Sequence, residues 1–105
     1  MQTHKRFTEF YQLEYQCLYN SNSKADYYNE VITKMPIIIQ ELLKLETRCV
    51  PSDRLPAYSK QTMDIEVKTP EKWLEICSIS DRIDYADNIK NVEIAFGLDR
   101  LVLCF

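Results

Sequence analysis

A chain of 105 residues, 46% of them hydrophobic, can build one packed core but not two full-sized domains. A single glycine and only four prolines exclude a loop-rich or low-complexity chain. A formal charge of −3 excludes general attraction to nucleic acid and leaves one local basic cluster, His4, Lys5 and Arg6.

Residues 8–19 alternate, with Tyr11, Leu13, Tyr15, Cys17 and Tyr19 on one side and Phe10, Gln12, Glu14 and Gln16 on the other. Period two with this much tyrosine predicts a long strand. Asn20 to Ser23 reads as a turn, with Ser23 or Asp26 available to cap a helix. Over residues 26–46, the apolar positions from Tyr27 to Leu45 fall at helical spacing, and Pro36 is expected to kink or split that helix. Residues 49–60, holding Pro51 and Pro56, read as a loop. Strands follow at 62–68, 73–80 and 91–96, with a polar, irregular or partly helical stretch between the last two and a helix from 98 to 104. Short strand-to-strand links favour antiparallel pairing. The expected fold is therefore α+β, an antiparallel sheet covered by the long helix.

Cys17, Cys49, Cys77 and Cys104 show neither CxxC spacing nor a zinc-like pairing with histidine, so reduced thiols are expected. The polar N-terminus and the short apolar runs predict a soluble, cytoplasmic chain without membrane contact. His4 is the sole histidine and has no partner in the sequence that would make it a catalytic base. There is no GxSxG, P-loop or dinucleotide glycine pattern.

The chemistry-bearing residues are carboxylates. Glu14 lies on the polar side of the first strand, Asp64 and Glu66 on the second, and Glu75 beside Trp73 on the third. On a shared sheet face such charges repel unless a cation, an arginine or a ligand ammonium sits among them. Arg100, next to the only glycine and flanked by apolar residues, reads as a buried charge and the internal candidate; Mg²⁺ with a phosphate-bearing substrate is the external one. Phe10 is placed to stack on a flat ring or to pack under the N-terminal segment. Ser78, Ser80 and Asp81 are placed to bond a substrate or to cap the segment after them.

These residues also fall into a known order. Arg6-x-x-x-Phe10-x-x-x-Glu14 resembles the second half of motif 2 of class II aminoacyl-tRNA synthetases, and Phe96-Gly97-Leu98-Asp99-Arg100 resembles their motif 3. Between them, Asp64-Ile65-Glu66, Trp73-Leu74-Glu75, Ser80-Asp81-Arg82-x-Asp84-Tyr85 and Asn91-Val92-Glu93 are similar to the stretch joining these motifs in glycyl-tRNA synthetases. The resemblance implies that residues 1–105 are one truncated catalytic-core domain with the family's antiparallel sheet. It implies an ATP-dependent, amino-acid-activating ligase that makes an aminoacyl adenylate, with ATP and Mg²⁺ as cofactors and tRNA as a further partner. It implies that Phe10 stacks on adenine while Arg6 and Arg100, the catalytic pair, meet the γ-phosphate. Glu66 and Glu75 would hold Mg²⁺. Glu14, Gln12, Glu75, Ser78 and Glu93 would surround a small amino acid. The family's α-phosphate arginine and its dimer-forming motif 1 find no match in this sequence, and Ala95 stands where glycyl enzymes usually carry serine. The alternative is therefore a non-catalytic paralogue or fragment acting as a binding or assembly module. The first strand is expected to expose an edge, so that a homo-oligomer or a partner chain completes the sheet.

Overall fold

The computed structural model describes residues 12–53 and 55–104. His4, Lys5, Arg6, Phe10 and Tyr11 lie outside the described residues. The element order is β1 (Gln12–Asn20), α1 (Tyr27–Leu43), β2 (Thr47–Pro51), β3 (Ser59–Lys68), β4 (Trp73–Arg82), β5 (Ile89–Gly97) and α2 (Leu98–Val102). The strands form one five-stranded sheet in the order β1-β5-β4-β3-β2, with every pairing antiparallel. The fold is a small α+β domain.

One face of the sheet is the core. Ile65, Val67, Ile76, Cys77, Ile79 and Val92 are all but sealed from solvent, and Tyr28, Ile39 and Leu43 of α1 close over them. Asp26 caps α1, its carboxylate accepting from the Asn29 N–H at 3.1 Å. Lys44 ends the helix in the left-handed conformation at φ 59°, donating its N–H to Gln40.

The structure corrects several expectations. Pro36 does not split the helix, which runs continuously through it. Its missing N–H costs about 3 kcal/mol, whereas burying Tyr28, Ile39 and Leu43 supplies roughly 1.5–3 kcal/mol each on both sides of it, so the packing wins. The helix also ends three residues earlier than the apolar pattern suggests, at Leu43. The stretch read as a loop begins inside β2, an edge strand whose last three residues fall within it: Pro51 closes the strand, where a missing donor costs no interior ladder bond. The polar stretch after residue 80 is shorter than expected, because β4 runs to Arg82 and β5 begins at Ile89. The terminal helix holds only five residues. On β1, Leu13 and Tyr15 point to the α1 side of the sheet but remain more than half exposed; only Cys17 and Tyr19 are partly covered, with Tyr19 stacked edge-on against Tyr27 at 4.7 Å.

β4 carries one irregularity that shapes the other face. Ile65 pairs with Cys77 and Glu66 with Glu75, so Ile76 has no partner across the ladder. This bulge lets Ile76 and Cys77 both enter the core and turns Glu75 to the opposite side.

Candidate functional site

The face opposite α1 is polar, and the register places its side chains in rows. Asp64, Ser78, Ala95 and Glu14 form one row across β3, β4, β5 and β1. Thr62, Ser80, Glu93 and Gln16 form the next. Glu66 and Glu75 face each other directly toward one end, and Gln12 lies opposite Gly97. The expected convergence of Asp64, Glu66 and Glu75 on one face is thus present, and Glu14, Gln12, Ser78 and Glu93 share that face. Ala95 sits mid-row with only a methyl group, leaving a low floor between Ser78 and Glu14.

Two arginines flank this floor. Arg82 donates from Nη1 to Glu93 Oε2 at 3.0 Å and pairs with Asp84, while its guanidinium lies 4.1 Å from the Tyr58 ring and 5.6 Å from that of Tyr85. Hydrogen bonding to Asp84 chiefly raises the Arg82 pKa and lowers that of Asp84. At the other end, Arg48 bonds Glu66 from Nε at 2.7 Å and stacks 4.1 Å over Trp73. Trp73 is therefore a half-buried support for a cation on the polar side.

Glu93 is 5% exposed and accepts from Arg82 and, at 3.2 Å, from Gln16 Nε2. The Gln16 carbonyl in turn accepts from the Tyr85 hydroxyl at 2.9 Å and Asn91 Nδ2 at 3.2 Å. Burial, then the charge of Glu93, pushes the Tyr58 hydroxyl above its ordinary pKa. In the first row, Ser78 Oγ lies 2.8 Å from Asp64 Oδ1 and 3.2 Å from Glu75 Oε2. A hydroxyl has one hydrogen to give, so Ser78 serves two carboxylates by turns. Neither Ser78 nor Ser80 caps a helix; Ser80 bonds Thr62 at 3.0 Å, and Asp81 accepts from Gln61 at 3.2 Å.

Arg100 departs from its expected setting. It is exposed rather than buried, and its Nη1 donates to the backbone carbonyl of Glu75 at 3.0 Å. Gly97 before it has ordinary extended backbone at φ −83°, and a Cβ there would meet only the Arg100 side chain at 3.8 Å, so neither sterics nor strain demands the glycine. The arginine deeply engaged with this face is Arg82, which the sequence singled out only within the motif resemblance. Continuing the alternation of Ser78 and Ser80 by one more step would have placed it there. Arg48 was missed because its strand was not recognised: three of the five residues were read as loop.

Among the described residues, no group of three or more His, Cys, Asp or Glu side chains is arranged to hold a metal ion. Glu66 and Glu75 are cross-strand neighbours on the polar face, and Glu66 is already engaged by Arg48. All four cysteines carry free thiols, and burial raises the pKa of Cys77, the most enclosed of them. No helix among the described residues is long and apolar enough to cross a membrane.

No protein-family model matches the chain. It is similar to the glycine–tRNA ligase of Mycoplasmopsis synoviae (strain 53), with 27% identity over 124 aligned positions that cover 93% of this chain. The chain spans 28% of that relative's length. A likeness of this size supports a distant relationship to an aminoacyl-tRNA synthetase and nothing finer.

Proposed function

We propose that the polar face is an amino-acid- and ATP-binding surface of the class II synthetase type, and that the chain takes part in aminoacyl-adenylate chemistry. The observation that supports this best is the gathering of Glu75, Ser78, Glu93 and Glu14 around the low floor at Ala95, on the side of the sheet that α1 leaves open. A small amino acid would seat its ammonium group among these carboxylates. Arg100, exposed at the Glu75 end, would meet the triphosphate, and Glu66 with Glu75 would hold the Mg²⁺ that travels with it. The resemblance assigns Arg6 and Phe10 to the γ-phosphate and adenine. Bound Mg²⁺ would supply charge neutralisation at the phosphates. The chain's own groups would orient the two substrates, which is most of what attack on a phosphate requires.

A second reading has its own support. Glu93 and Glu66 already have arginine partners, Arg82 and Arg48, so part of the carboxylate charge is balanced without a ligand. A non-catalytic relative used as a binding or assembly module would need no more.

Pyrophosphate exchange separates the two. The chain is incubated with ATP, Mg²⁺, labelled pyrophosphate and each amino acid in turn. Exchange into ATP with one small amino acid, reduced at least about 100-fold by Arg100→Ala, is the expected result, because charge clamps contribute on the order of 10³–10⁵ in phosphoryl chemistry. Thermal stabilisation by ATP without exchange would establish the binding module. Neither exchange nor stabilisation would overturn both readings of the site.

A further inference from the structure

β5 runs between β4 and β1, so each polar-side residue on it has neighbours on either hand. For Glu93 these are Ser80 on β4 and Gln16 on β1, with Arg82 one same-face step beyond Ser80. The donors that reach the Glu93 carboxylate come from opposite sides. Arg82 Nη1, from the β4 side, and Gln16 Nε2, from the β1 side, share Oε2 at 3.0 and 3.2 Å. Arg82 alone would draw the carboxylate toward β4, away from Glu14, which stands two residues before Gln16 on β1. Gln16 opposes that pull.

Chemistry allows only one orientation of the Gln16 amide. An ionised carboxylate has no hydrogen to give, so the end facing Glu93 must be the NH2 group. The amide carbonyl then faces two donors, the Tyr85 hydroxyl at 2.9 Å and Asn91 Nδ2 at 3.2 Å. Gln16 is itself exposed, so bonds rather than burial hold it in place. The arrangement carries a cost. Asn91 is fully buried, and with its NH2 committed to Gln16 its Oδ1 has no partner among the described residues. An unbonded buried carbonyl destabilises the fold, and such a sacrifice of stability is characteristic of side chains held for function.

We propose that Gln16 is a positioning residue of the amino-acid site: its amide, set by Tyr85 and Asn91, keeps the Glu93 carboxylate beside the Ala95 floor, where the ammonium group of a small amino acid would lie between Glu93 and Glu14. This rests on the reading of the polar face given above. Gln16 touches no ligand and acts through Glu93. A neutral donor suits the place. A lysine would set its own ammonium group among the carboxylates, and a glutamate would repel Glu93 from directly across the ladder. Because Tyr85 belongs to the connection between β4 and β5, the placement of that connection is passed to Glu93 through Gln16.

Calorimetric titration tests this, with glycine, alanine and serine each alone and, separately, ATP with Mg²⁺. Gln16→Met keeps the length of the side chain and removes the amide. It should weaken binding of the amino acid that the wild-type chain takes up by about tenfold, the loss that goes with a hydrogen bond to a charged group, and leave ATP binding unchanged. Tyr85→Phe removes one of the two bonds that set the amide and should act in the same direction by less. Circular dichroism checks that each variant folds; if Gln16→Met does not, Tyr85→Phe carries the same comparison. Equal amino-acid affinity in the wild-type and variant chains overturns the positioning role and leaves the site reading standing. Parallel loss of amino acid and ATP assigns Gln16 to the fold alone and overturns it too. A wild-type chain that binds none of the three amino acids overturns the reading of the site, and the positioning role with it.

Discussion

The two faces of this sheet are made from the same strands and stabilised by different physics. Toward α1, Ile65, Ile79 and Val92 are fully buried against aliphatic neighbours, and their contribution is apolar area removed from water. On the other side Asp64, Thr62, Ser80, Asn91 and Glu93 are buried as well, although α1 does not cover them. They are sheltered by their own neighbours, with Arg82 and its tyrosines at one end and Arg48 over Trp73 at the other. A buried polar group costs free energy unless it is bonded. The second face is therefore stable only as a connected network, and losing one member unsettles the rest.

That contrast can be broken deliberately. Ile79→Ala on the helix-covered face should lower unfolding stability by about 3 kcal/mol in denaturant titration, the transfer and cavity cost of an enclosed isoleucine. Arg82→Ala should cost about 2 kcal/mol, chiefly because Glu93 is left buried without its cation. Here the faces should diverge: adding Glu93→Gln to Arg82→Ala should recover at least about half of that loss, a non-additivity that no partner substitution for Ile79 would show. If the Arg82 and Glu93 effects simply add, the network description fails. The smallest effect concerns a buried, unbonded hydroxyl on the apolar side. Tyr28 is 2% exposed and its OH finds no partner among the described residues; burial, with lesser effects of Asp81 and Cys49, pushes its pKa up to about 12. The folded state therefore holds this proton more tightly than the unfolded chain does. Stability from it is intact below the ordinary tyrosine pKa of about 10 and is lost as pH rises through about 12. Tyr28→Phe should change stability at neutral pH by no more than about 1 kcal/mol and flatten the alkaline decline measured by circular dichroism.

The strands with clean alternation were legible. Asp64-Ile65-Glu66-Val67 on β3 and the serines of β4 gave both the strands and the sharing of their polar face, because period two fixes sidedness. β2 was not legible, since five residues with a proline carry too little periodicity to outweigh the turn signal. Arg100 was misread because flanking apolar residues suggested burial; the helix they open is short, and its start lies at the sheet's rim with the arginine outward. The cross-face bonds of Glu93 were invisible for a different reason. Gln16 lies 77 positions away from it, and only the β1–β5 pairing brings them together.

The unpaired Ile76 bears on what kinds of change this protein can absorb. Substitutions along β4 alter one contact at a time. Adding a single residue there would do something else: with the bulge kept, it would invert one half of the strand against the other, carrying Glu75 into the hydrocarbon interior and Leu74 out of it, whereas loss of Ile76 would leave a regular strand with both in place. The segment from Trp73 to Ser78 should therefore tolerate varied spelling but not added length, and insertions in relatives should collect instead in the connections on either side, between Lys68 and Trp73 and between Arg82 and Ile89.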